Sequence, residues 1–319
     1  MSTLRLGRPL LSALLAFTAA SFPARATDDP PLGQIERLDR RFDELIAPDA
    51  RIEKAAGGIE WAEGPLWDSR TQSLLFSDVP RNGIFRWEPA RGVSLVLDRS
   101  GYRQDAPFTG REPGSNGLAF DAEHRIVFCR HGERGIARLE TDGRIVVLAE
   151  RYQGKRLNSP NDLIFRSNGD LYFTDPPFGL PKSFDDPAKE LQFQGVYRLA
   201  KGGRLDALVT DLDAPNGVGF SPDGNTLYVS NAFNKRPIWM AYPVNTDGTL
   251  GPGRQFAEAS AYVKPGEGVP DGLKVDIRGN VFAAGPGGVH VYAPDGTRLG
   301  RIITGVPTGN VAFGEDGGT

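Results

Sequence analysis

The chain has 319 residues, 39% hydrophobic and 24% charged, a balance that excludes intrinsic disorder. A formal charge of −3 without any Lys/Arg block offers no basic face, so no nucleic-acid partner is expected. The 40 glycines and 25 prolines demand many turns and short elements, which favours an all-β chain.

The first stretch, "MSTLRLGRPLLSALLAFTAASFPARA", sets Arg5 and Arg8 before an apolar run from Leu10 to Ala20 and closes on Ala24-Arg25-Ala26. That is the pattern of a signal peptide, residues 1–26, cleaved after Ala26. The apolar run is too short to span a bilayer. A periplasmic or secreted protein, free of the membrane after cleavage, is expected. Residues 27–57 read as a linker, with a short helix over Ile35 to Leu45 from the spacing of Ile35, Leu38, Phe42 and Leu45. The single cysteine, Cys129, lies in the apolar run "RIVFCR" and reads as a buried, inert thiol.

From residue 58 the chain is one domain built on repetition. Six segments share a template of polar anchor, Gly or Asp, branched apolar residue, any residue, then aromatic or Val. They are "EGPLW" at Glu63, "NGLAF" at Asn116, "NDLIF" at Asn161, "NGVGF" at Asn216, "DGLKV" at Asp271 and "GNVAF" at Gly309. The first five are each followed by a polar turn and a second strand, such as "DLYFTDP" or "TLYVSNA", and further strands complete the units. This spacing predicts a six-bladed β-propeller. The last blade is short of strands at the C-terminus unless the segment after Gly57 supplies them.

In a propeller the first strand of each blade lines the central channel, so a residue just ahead of it points toward the axis. Glu63, Asn161, Asn216 and Asp271 would then converge from four blades. Two carboxylates and two amide carbonyls form an all-oxygen set suited to one hard divalent cation, Ca²⁺ first, with Mg²⁺, Mn²⁺ or Zn²⁺ as alternatives. Turn-capping explains any one Asn or Asp, but Glu63 is no turn-former.

The segments "WAEGPLW", "NSPNDLIF", "APNGVGFSPDGNTLYVSN" and "PDGLKVD" resemble the SMP-30/gluconolactonase/LRE-like family of six-bladed propellers with a channel cation. "SNGLAF" and "CRHGERGIARL" are similar to its bacterial gluconolactonase branch. The resemblance implies Glu63, Asn216 and Asp271 as metal ligands and Asn161 as an amide that ligates metal or orients substrate. It also implies Asp271 as general base.

A lactone is a cyclic ester, and its hydrolysis needs an activated water and a stabilised oxyanion. A channel cation with Asp271 as base suits both needs. Asn161 and Asn216 can donate amide N–H groups to the oxyanion. Asn116 and His131, with Arg111 and Asp175 as weaker candidates, would hold the hydroxyls of a small sugar lactone such as glucono-1,5-lactone. No nucleophilic Ser or Cys accompanies His131, so a triad is not supported. "GPGRQ" and "GPGG" lack the Lys-Ser/Thr of a phosphate loop. An esterase or phosphotriesterase, and a non-catalytic ligand-binding propeller with a structural ion, are the alternatives.

Overall fold

The computed structural model describes residues 32–314. The expected signal peptide therefore lies outside the described residues. Among the described residues short strands dominate, and the helical elements are three 3₁₀ turns.

Among the described residues five antiparallel sheets of four or more strands follow one another along the chain, with a two-stranded hairpin, Arg151–Tyr152 and Lys155–Arg156, between the second and third. Blade 1 comprises Ala62–Asp68, Ser73–Asp78, Gly83–Glu88 and Gly92–Asp98, and blade 2 comprises Ser115–Phe120, Ile126–Arg130, Gly135–Leu139 and Ile145–Ala149. Blade 3 comprises Leu163–Phe165, Leu171–Asp175, Gln194–Leu199 and Leu205–Leu212. Blade 4 comprises Pro215–Phe220, Thr226–Asn231, Ile238–Pro243 and Arg254–Glu258. Blade 5 comprises Leu273–Val275, Val281–Gly285, Gly288–Tyr292 and Arg298–Ile303. Each is a meander, with strands paired in chain order. Blade 5 gains a fifth, outermost strand from Gln34–Arg37, with Gln34 opposite Ile303 and Arg37 opposite Gly300.

The apolar core is divided among the gaps between blades. Val127, Cys129 and Ile136 of blade 2 pack on Leu163, Phe173 and Tyr197 of blade 3. Tyr172 and Val196 of blade 3 pack on Val218 and Leu227 of blade 4, and Tyr228 and Trp239 of blade 4 pack on Leu273 and Val281 of blade 5. Alternating side chains of each strand thus face neighbouring sheets, which is how a propeller buries both faces of every blade.

The described residues form five blades, not the six counted from the sequence. The sixth template, at Gly309, lies in a stretch without strands, residues 304–314. It still packs against the inner ring: Gly272 N–H donates to Gly309 O at 2.7 Å, and Phe313 meets Phe282 of blade 5 edge-on, centroids 5.1 Å apart. The template therefore marks a place on the channel wall, and a place on the wall does not require a sheet behind it. The N-terminal expectation is corrected as well. The segment after Gly57 leads into blade 1, and the added strand comes from Gln34–Arg37. Only Arg40–Glu44 of the expected helix is helical, as a 3₁₀ turn capped by Asp39 that buries Phe42. The apolar spacing there serves a strand and a turn that both lean on blade 5.

Candidate active site

Every anchor but Glu63 is held through its main-chain carbonyl by the blade before it. In blades 1, 3 and 4 the second strand carries a fully buried hydroxyl, Ser77, Thr174 or Ser230. That hydroxyl holds the main-chain carbonyl of the next anchor: Ser77 Oγ to Asn116 O at 2.8 Å, Thr174 Oγ1 to Asn216 O at 2.7 Å and Ser230 Oγ to Asp271 O at 2.6 Å. In blades 2 and 5 Cys129 and Ala284 occupy that place, and a backbone N–H takes over. Gly117 N–H reaches Asn161 O, and Gly272 N–H reaches Gly309 O, both at 2.7 Å. The template glycine follows from this close approach. A Cβ on Gly217 would collide with Asp271 O, and one on Gly117 would lie 2.8 Å from Asn161 O.

Glu63, Asn116, Asn161 and Asn216 are almost fully buried, while Asp271 keeps part of its surface open. Glu63 accepts from Trp61 Nε1–H at 3.1 Å and from Gly64 N–H at 3.3 Å. Burial outweighs both bonds and, with the charges of Asp162 and Glu112, pushes the Glu63 carboxyl up to about 7. Asp271 is raised well above the usual carboxylate range, first by burial and then by the charge of Glu63, against a hydrogen bond from Asn216. The fold thus brings Glu63, Asn216 and Asp271 to one place. Asn161 enters the same ring through its backbone, accepting from Gly117 N–H and donating to Thr174 O at 2.9 Å.

The remaining expected residues sit as follows. Asn116 Oδ1 is buried without a hydrogen-bond partner, as are both ring nitrogens of His131. His131 is fully buried, its Nδ1 2.9 Å from Glu112 Oε2. The alignment there falls short of a hydrogen bond. Arg111 is exposed on the loop before blade 2. Asp175 is fully buried, and both its oxygens are engaged, by Asn158 N–H at 2.8 Å and Ser159 N–H at 2.7 Å. It fixes the turn before blade 3, much as Asp78 takes the N–H groups of Glu60 and Trp61 before blade 1. Cys129 is buried, and burial raises its thiol pKa, which keeps it protonated and unreactive.

Two acids missed in the sequence act on the site. Asp162 occupies the template's Gly slot in blade 3, where its carboxylate accepts from Leu163 N–H at 2.9 Å and Val218 N–H at 3.3 Å. Glu112 lies in a loop with no counterpart in other repeats. The Asp that replaces Gly in "NDLIF" was the one available signal.

Among the described residues no cluster of three or more His, Cys, Asp and Glu is placed to hold a metal. The expected set contains only two acids and completes itself with amides. Its chemistry fits a hard cation: Glu63 is a buried acid whose charge raises the Asp271 carboxyl, and a divalent ion relieves that repulsion.

The profile of the SMP-30/Gluconolactonase/LRE-like region matches residues 61–319. A gluconolactonase of Zymomonas mobilis subsp. mobilis is 38% identical over 340 residues, spanning 100% of this chain and 95% of its own. A gluconolactonase structure from Xanthomonas campestris superposes with a TM-score of 0.75 at 35% identity, covering 90% of this chain and 89% of that one. Regucalcin of Agrobacterium tumefaciens, a calcium-binding protein, shares the fold with a TM-score of 0.62 at 22% identity over 81% of this chain and 79% of its own. Matched by the profile from Trp61 onward and by gluconolactonases over nearly its whole length, the chain is a lactonase and belongs to the SMP-30/gluconolactonase/LRE-like family.

Proposed function

We propose that this lactonase opens an aldonolactone such as glucono-1,5-lactone to its acid, using one divalent cation, Ca²⁺ first, held by Glu63, Asn161, Asn216 and Asp271. The observation that carries the reading is that Glu63 and Asp271, from blades far apart in sequence, lie near enough for the Glu63 charge to raise the Asp271 carboxyl. When bound, the cation polarises the lactone carbonyl and lowers the pKa of a water.

The chain's own groups do the rest. Asp271 takes the proton of the attacking water on its carboxylate and returns it to the ring oxygen as the C–O bond breaks. Burial makes it a stronger base than an ordinary carboxylate once ionised. The amide N–H groups of Asn161 and Asn216 donate to the developing oxyanion. Asn116 and His131, both buried and unsatisfied, take the sugar hydroxyls. The expected signal peptide would make the site periplasmic, and N-terminal sequencing of exported protein should begin at Thr27.

The test is a panel of lactones, simple esters and phosphotriesters, assayed on EDTA-stripped protein with each cation restored, for wild type, Asp271→Asn and Asn116→Ala. Asp271→Asn should lower kcat by roughly 100- to 10,000-fold, the usual range for losing a general base. Asn116→Ala should raise KM with cation affinity unchanged. Near-normal turnover in Asp271→Asn, loss of the cation in Asn116→Ala, or a preference for phosphotriesters would overturn the assignment.

A further inference from the structure

Between blades 1 and 2 the chain crosses residues 99–114 without a strand, yet this loop is pinned at both ends. Asn82 Oδ1 accepts from Gly101 N–H at 2.8 Å and Tyr102 N–H at 3.0 Å. At the far end Gly114 N–H reaches Val79 O, and Gly114 O accepts from His131 N–H, both at 3.0 Å. Glu112 is therefore held in place, its side chain 38% exposed and its carboxylate 2.9 Å from His131 Nδ1.

His131 differs from the other two histidines. His124 bonds Asp68 at 3.0 Å, and His290 bonds Pro286 O at 2.9 Å. His131 is as buried as any residue of the core, yet both its ring nitrogens lack hydrogen bonds, and Asn116 Oδ1 in the same blade is equally unsatisfied. A buried polar group without a partner is costly, so the end of blade 2 is built for something that supplies one.

The chemistry of that partner follows from the atoms. A carboxylate beside Nδ1 draws the imidazole proton to that nitrogen and leaves Nε2 as an acceptor. Nε2 and Asn116 Oδ1 are then acceptors without donors, and the Glu112 carboxylate, with lone pairs to spare beside Nδ1–H, is a third acceptor. A neutral ligand rich in hydroxyls answers all three, an apolar acyl chain answers none, and an anion is repelled. The field of Glu112 also reaches Glu63 and Asp271, which sets the loop beside the site.

We propose that Glu112 is a specificity-determining residue that, with His131 and Asn116, forms a wall reading the ring hydroxyls of the substrate and fixes the imidazole within it. This rests on the sugar-lactone reading and adds the residue that separates hydroxylated lactones from plain ones.

The experiment compares Glu112→Gln with wild type on glucono-1,5-lactone and on δ-valerolactone, the same ring without hydroxyls. The ratio of kcat/KM for the sugar lactone to that for δ-valerolactone should fall about 10- to 100-fold, the range for one charge-assisted hydrogen bond, with the loss carried by KM for the sugar lactone. Glu112→Asp should recover part of the loss. Equal damage to both lactones would overturn the proposal. Sorbitol binding by calorimetry separates this from the function itself. Weaker sorbitol binding in Glu112→Gln supports the wall even if wild type hydrolyses neither lactone, and unchanged binding rejects it.

Discussion

Trp61 joins solvent to a buried acid of the site. Its side chain is 46% exposed, while its Nε1–H donates to Glu63 Oε1 at 3.1 Å. A cation taken up by Glu63 competes with the indole for that oxygen, so the indole should report on uptake. Adding Ca²⁺ to EDTA-stripped protein is expected to change tryptophan emission, and Trp61→Phe should abolish most of the change. Cation affinity in that variant should shift by a factor of ten or less, since one neutral hydrogen bond is worth about 1 kcal/mol. A full emission change in Trp61→Phe would assign the signal to Trp67, Trp87 or Trp239 and detach the contact from cation binding. At this scale the sequence reveals those residues that the repeat exposes. Glu63, Asn216 and Asp271 stand at one template position, and the fold delivers them together. Glu112 belongs to no repeat, and it acquires meaning only when its loop folds back on His131. Asp175 is a weak candidate in the sequence, where "TDPP" favours a turn-shaping role, and the two N–H groups it accepts bear out the turn.

The second strand of each blade does more than fill a sheet. Where it carries Thr174 or Ser230, the hydroxyl accepts a backbone N–H from its own blade, Asp162 at 3.1 Å or Gly217 at 2.7 Å, and donates to the next anchor's carbonyl. The hydroxyl is a relay between blades. With Cys129 or Ala284 in that place, N–H and carbonyl meet directly at 2.7 Å. Ser230→Ala should therefore leave Gly217 N–H and Asp271 O buried without partners and cost about 1–3 kcal/mol. Thermal or denaturant unfolding reads that loss, and kcat should fall with it because the Asp271 backbone loses its tether. Ser221→Ala, whose hydroxyl bonds Asp223 in an exposed turn, is the control and should be nearly silent. Equal effects of the two variants would show that blades 4 and 5 close the gap as blades 2 and 3 do. These contacts also explain which elements could be read in advance. Most strands within a blade are joined by short polar turns, the long loop from Asp175 to Gln194 in blade 3 being the main exception, so their pattern is local and legible. The strand Gln34–Arg37 pairs with Arg298–Ile303 across most of the chain, and no local spacing announces such a partner. The Gly309 template shares the ring contacts of the other five without a sheet, so counting templates overcounts blades.

Taken as a whole, the molecule stores like charge at its centre, and that ties stability to both pH and cation. The ordinary value of a glutamate carboxyl, 4.5, rises to about 7 for Glu63 in the folded chain, and Asp271 is raised in the same direction. A carboxyl raised on folding keeps its proton where the unfolded chain has already lost it. Its contribution is complete below pH 4.5, declines as pH rises, and is gone above about 7. For Glu63 alone the span is worth at most about 3 kcal/mol, at 1.36 kcal/mol per pH unit. With cation bound the sign reverses, because the ion needs both carboxylates ionised and competes with protons. Cation-free protein should thus melt at progressively lower temperature from about pH 5 to 7.5, while the stabilisation by saturating Ca²⁺ grows over the same window. Asp175, also raised to about 7, titrates in both series, so only their difference reports on the site. Glu63→Gln should flatten the cation-free curve by one group's share and shrink the Ca²⁺ increment at neutral pH. The measurement is a set of melting curves with EDTA and with Ca²⁺ at each pH, for wild type and Glu63→Gln. An increment equal at pH 5 and pH 7.5 would mean that the ion binds elsewhere, and that the charge shared by Glu63 and Asp271 has another purpose.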